Sequence, residues 1–185
     1  MRLPYVPNPP PTTTPEEAAI VARVAARRHP RPLQALDLTL LHSPPIADGW
    51  NSFLGAVRTR TTLSDDVREI AICRVAVLNG AVYEWEHHAP LARNGGVGEE
   101  GMRVLGSEGE ARSGEGLSEK QWAVVKYTDA MTREVRVPDE VFAELRRHFD
   151  DREVVEITAT VGLEISFFPP LFGSIFRVVV ESWRG

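Results

Sequence analysis

The stretch that most constrains this chain runs from residue 64 to residue 96. Ser64 is a cap-type residue, and "DDVREIAICRVAVLNG" after it has the apolar content and length of a helix. Asn79-Gly80 is a natural stop, because glycine accepts the left-handed conformation in which helices end. A second helix starts near Tyr83 and ends at "NGG", residues 94 to 96. Two helices joined by so short a break fold back as a hairpin. Any fold for this chain must be built around that hairpin.

The hairpin also gathers the chemistry. On a helix, residues three and four apart share a face. "YEWEHH" sets Glu84 four residues before His88 and three before His87, and Tyr83 four before His87. On the first helix Glu69, Cys73, Ala76 and Gly80 fall on one line, so Glu69 sits either at the helix edge or buried with a partner. His88 or Arg74 can be that partner once the chain turns back. A carboxylate within reach of an imidazole orients the ring and favours its protonated form, which makes an acid–base pair. The bland alternative is a solvated Glu-x-x-x-His pair, common on helix surfaces. Trp85 and Trp50 read as core or interface residues, and Cys73 as a small core residue.

The rest of the chain reads as helix. Residues 1 to 14 hold five prolines and form an extended arm, either loose or lying on a neighbouring subunit. Thr14, Pro15, Glu16 and Glu17 open a helix. Helices follow over 33 to 42 and 45 to 58, where Trp50, Phe53, Leu54 and Val57 make one apolar face. Residues 98 to 116, with six glycines, read as a solvated loop or a broken short helix. Ser118 caps another helix, Pro138 opens the next, and "DREVVEITATVGLEISFF" and "LFGSIFRVVVESW" complete the chain. The expected architecture is all-α, about eight helices, in a single domain over residues 15 to 185.

Composition excludes several classes. A net charge of −5 with interspersed signs gives no basic stripe for nucleic acid. The apolar C-terminal segment is cut by Gly162, Glu164, Pro169, Pro170 and Arg177, so no membrane span is expected, and the N-terminus lacks a signal-peptide core. The expectation is a cytoplasmic protein. One cysteine precludes an internal disulfide. "EWEH" has the Glu-x-x-His spacing of di-iron bundles, but those need a second such pair, and "ELRRH" is one residue too long. No metal and no cofactor are expected.

"LSDDVREIAICRVAVLNGAVYEWEHHAPLARNGGV", residues 63 to 97, resembles the core motif of the carboxymuconolactone decarboxylase family, whose superfamily includes the alkylhydroperoxidase-D-like proteins. The matching features are Arg68-Glu69, the Asn79-Gly80 break, the aromatic helix with its histidine, and the Ala92 to Gly96 close; the resemblance covers about residues 45 to 130. The hydroperoxidase branch carries Cys-x-x-Cys, then a histidine four residues on. Counted back from His88, those cysteine positions are Ala81 and Glu84. Neither can attack a peroxide or resolve a sulfenic acid.

The resemblance therefore implies the decarboxylase-like branch. It implies a cofactor-independent lyase acting on a small carboxylated or cyclic oxygenated compound. In that reading His88 is the proton carrier, Glu69 its partner and Glu84 the support. Arg74, Tyr83 and His87 would bind substrate. The resemblance also implies a homo-oligomer, trimer or hexamer. Two alternatives stand beside it: a non-catalytic oligomeric binding or scaffold protein of the same fold, and a residual redox protein using Cys73 between subunits.

Overall fold

A computed structural model describes residues 4–107 and 116–167, and the expected final helix after Pro170 lies outside them. Nine helices and no strands occur among the described residues. They are α1 (Pro15–Arg28), α2 (Ala35–Leu40), α3 (Pro44–Thr59), α4 (Asp65–Leu78), α5 (Val82–Asn94), α6 (Glu99–Leu105), α7 (Glu119–Glu134), α8 (Asp139–Arg146) and α9 (Asp151–Phe167).

The described residues form two compact units that meet in sequence between Arg60 and Thr61. The physical reason is that each has its own apolar core. In the first unit Ile20 and Val24 of α1 pack with Leu40, Leu41 and Ala47, and Trp50 lies against them. The Pro-rich arm belongs to this unit. Val6 packs on that cluster, its N–H donates to Leu38 O at 3.3 Å, and the His42 ring meets Pro4 O at 2.7 Å. The arm therefore lies on its own chain. The first unit is stapled by a buried acid, Asp37, which accepts from Arg27 and Arg28 of α1.

The second unit is built around α4. This helix packs against α5, α7, α9 and α6. Val67, Ile70, Ala71, Ile72, Cys73, Val75 and Ala76 are all buried, so α4 presents apolar side chains to neighbours on every side. Its N-cap is Ser64, as expected, but the Ser64 side chain makes no capping hydrogen bond. Its C-terminus is a Schellman motif. Gly80 stands at φ +63°, its N–H donates to Val77 O at 3.1 Å, and the Ala81 N–H donates to Ala76 O at 2.7 Å. The same motif ends α5: Gly96 stands at φ +106°, its N–H reaches Arg93 O, and the Val97 N–H reaches Ala92 O. Asn-Gly and Asn-Gly-Gly are therefore read correctly as stops.

The stretch after α5 departs from a plain loop. Residues Glu99–Leu105 form α6, which buries Met102 and Leu105 in the core. The remainder of that glycine-rich segment, 108 to 115, lies outside the described residues.

Candidate active site

Glu69 sits in the second turn of α4, on the helix with the most buried surroundings, and is itself 3% exposed. A carboxylate so placed needs hydrogen-bond donors to offset its lost hydration. It has two. Its Oε2 lies 2.6 Å from Nδ1 of His88 on α5, and its Oε1 accepts from Arg68 Nε at 3.3 Å. The first contact joins residues 19 apart in sequence, so it exists only because the hairpin closes. Closure is tight at the far end as well: a Cβ on Gly95 would stand 2.8 Å from the Asp66 backbone nitrogen, which brings the end of α5 against the first turn of α4.

Glu84 completes the cluster from α5 itself. Its Oε2 stands 3.4 Å from His88 Nε2, in the i, i+4 relation. The imidazole thus lies between two carboxylates, one at each ring nitrogen. The side chains of His88, Glu84 and Arg68 keep a partial opening to solvent, at 14%, 16% and 15% exposed, so the group sits at the edge of the core. In the tautomer with its proton on Nδ1, the ring donates to Glu69 Oε2, and that contact fixes its orientation. Nε2 is then the nitrogen turned away from Glu69, toward Glu84 and the partly open side.

The other expected residues lie elsewhere. Arg74 is fully buried, and its guanidinium is taken up by the protein: Nε and Nη2 donate to Asp129 of α7 at 2.5 and 2.8 Å, and Nη1 donates to the carbonyls of Leu105 and Ser107. It ties α4 to α7 and to the end of α6, so the guanidinium expected to bind substrate is engaged with protein groups here. Tyr83 and His87 point outward on α5, where their rings stack with centroids 4.0 Å apart and the His87 ring meets Tyr83 O at 2.8 Å. Cys73 is buried in the core of the second unit. Trp85 packs against that core and Trp50 against the other.

Arg68 was legible only as half of an Arg-Glu pair. Its place beside Glu69 follows from a bridge to Asp65 one turn back, where Nη2 donates to Oδ1 at 2.5 Å. Asp–x–x–Arg at helical spacing is the signal that could have found it. Among the described residues, no group of three or more His, Cys, Asp or Glu side chains is arranged to hold a metal ion.

Comparison with known proteins bears on the same segment. The model of the carboxymuconolactone decarboxylase family matches residues 44–126, which include the whole hairpin and every residue of the cluster. Over these residues the chain is similar to the carboxymuconolactone decarboxylase family. The similarity is a divergent one, with Ala81 and Glu84 at the positions that correspond to the cysteines of the thiol branch.

Two solved structures share the alkylhydroperoxidase-D-like helical fold of this chain. One is a protein of unknown function from Agrobacterium tumefaciens, named after the antioxidant defence protein AhpD; it is 24% identical, with a TM-score of 0.55 over 66% of this chain and 83% of that one. The other is a cysteine-to-alanine form of the debrominase Bmp8 in complex with 2,3,4-tribromopyrrole, 15% identical, with a TM-score of 0.55 over 81% of this chain and 78% of that one. No curated protein matches the chain.

Proposed function

We propose that this protein is an acid–base enzyme of the decarboxylase-like kind, acting on a small carboxylated or cyclic oxygenated compound. The observation that carries the reading is the 2.6 Å contact between His88 Nδ1 and Glu69 Oε2, made across the hairpin at the edge of the core. The match to the family over residues 44–126 supports it, and so does a debrominase among proteins of the same fold, since that fold carries catalysis there.

The chemistry asks little of the protein. When a carboxylate next to an enolisable carbonyl loses CO₂, the carbon–carbon bond breaks and its electron pair passes into the carbonyl as an enolate. A proton must then be delivered to carbon as the electrons return. In the proposal His88, protonated at Nε2, gives that proton, and Glu69 holds the ring and stabilises its positive charge. Glu84, beside Nε2, relays a proton from the bulk solvent to the ring, so that each turnover consumes one solvent proton and releases one CO₂. Tyr83 and His87 would meet substrate only where a second copy of the chain covers α5. Thiol chemistry is not part of the proposal: peroxide reduction needs a thiolate and a resolving thiol, and Cys73 is the one cysteine and is buried.

The test is CO₂ release from a panel of carboxylated unsaturated lactones. The native chain should turn over at least one of them, and His88→Ala and Glu69→Gln, with wild-type circular dichroism, should lose roughly 10²–10⁴-fold in rate, the usual contribution of a positioned general acid. If both variants keep the wild-type rate, the site is elsewhere. If both lose their fold instead, the cluster is a structural network and the scaffold reading takes its place.

A further inference from the structure

We infer that Arg68 is a positioning residue of this site, holding the Glu69 carboxylate in the one orientation that serves His88. The inference rests on the acid–base reading above.

The argument starts from the two oxygens of Glu69. Each has a different donor: Oε2 faces the imidazole at 2.6 Å, and Oε1 accepts from Arg68 Nε at 3.3 Å. The terminal torsion of a glutamate is broad and two-fold, so one hydrogen bond alone leaves the carboxylate plane free to swing. A second donor on the other oxygen fixes the plane, and with it the direction in which Oε2 points. Arg68 can do this because it is itself held. Its Nη2 donates to Asp65 Oδ1 at 2.5 Å, and the Asp65 side chain is 71% exposed while that of Glu69 is 4% exposed. The guanidinium therefore spans from an acid in solvent to an acid in the core. A planar fork with donors on separate edges makes that span, whereas a lysine ammonium, a compact point charge, does not.

Charge points the same way. Glu69 and Glu84 bring two carboxylates to one imidazole, and Arg68 sets a cation against Glu69 from the side away from the ring. Further ion pairs among the described residues serve different places: Arg74 closes on Asp129, and Asp37 on Arg27 and Arg28. Arg68 touches the Glu69 that holds His88, and its side-chain hydrogen bonds, to Glu69 and Asp65, are to acids, so its part in the proposal is to position.

The experiment reads His88 directly, in the full chain, by NMR with ¹⁵N-labelled histidine; His88→Gln assigns the signal. A proton shared between Nδ1 and a carboxylate resonates far downfield and exchanges slowly with water. In Arg68→Gln that signal should move upfield or broaden into solvent exchange while the backbone spectrum stays native. Arg68→Lys, which keeps the charge but not the fork, should recover part of the shift and not all of it. Glu69→Gln should abolish the signal. A role for Arg68 in stability alone would lower the unfolding midpoint and leave the His88 resonance in place, so an unchanged signal in Arg68→Gln overturns the inference. If Arg68→Gln does not fold, Arg68→Lys decides: a displaced signal supports the inference and a wild-type one overturns it. If the signal survives in Glu69→Gln, the acid–base reading itself falls, whatever Arg68 does.

Discussion

Glu69 and Arg74 lie five positions apart on α4, both buried, yet they do opposite things. Glu69 faces α5 and a partly open edge, while Arg74 is enclosed by Asp129 and two backbone carbonyls. Removing the guanidinium strands Asp129, whose side chain is 19% exposed, and takes the donor from the carbonyls of Leu105 and Ser107, at a cost of about 3 kcal/mol. Arg74→Met should therefore lose stability on that scale in urea unfolding; a loss below about 1 kcal/mol would mean that water reaches Asp129 and compensates for it. The difference between the two residues was only partly legible in the sequence. Glu69, Glu84 and His88 are joined by helical spacing and one short turn, which local rules cover. Arg74 meets an acid 55 residues away, and that meeting depends on how α7 docks against α4. Spacing cannot supply this, and so the arginine was open to both a binding role and a pairing one.

Among the elements, the α4–α5 hairpin was legible because both of its stops are written in glycine. Gly80 and Gly96 take positive φ, and each completes a Schellman motif. Gly95 has a different task. Its φ is −73°, open to any residue, but a Cβ there would stand within 2.8 Å of the α4 backbone. Gly95→Ala should force the end of α5 away from α4 and cost about 1–3 kcal/mol, the usual penalty of overpacking. The check is a thermal midpoint together with the His88 resonance, which should shift because the contact with Glu69 depends on the same closure. An unchanged midpoint would show that the two helices part without strain. Helix α6 was less legible. Gly98, Gly101 and Gly106 within nine residues outweigh a short apolar pattern, and only burial of Met102 and Leu105 in the core makes the helix stable. The close approach at Gly101, where a Cβ would meet Gly116 O at 2.7 Å, explains one of those glycines as a packing requirement.

At the scale of the whole molecule, the described residues fall into two compact units, and Ile20, Val24, Leu40, Leu41 and Ala47 form a core cluster of the first. No helix of the described residues is long and apolar enough to cross a membrane. Val82 and Leu91 on α5 and Val155 on α9 stay exposed at 65%, 46% and 66%, large apolar side chains that association would cover. We expect the trimer or hexamer that the family resemblance implies; native mass spectrometry would show it, and a monomer at micromolar concentration would contradict it. The central claim, that the imidazole held by Glu69 is where the reaction takes place, is tested most directly by a crystal structure with a carboxylated lactone bound. The account predicts the ligand beside Nε2 of His88 and next to Glu84, with Nδ1 still on Glu69. A ligand bound away from His88, or a ring turned off Glu69 in the complex, would contradict it.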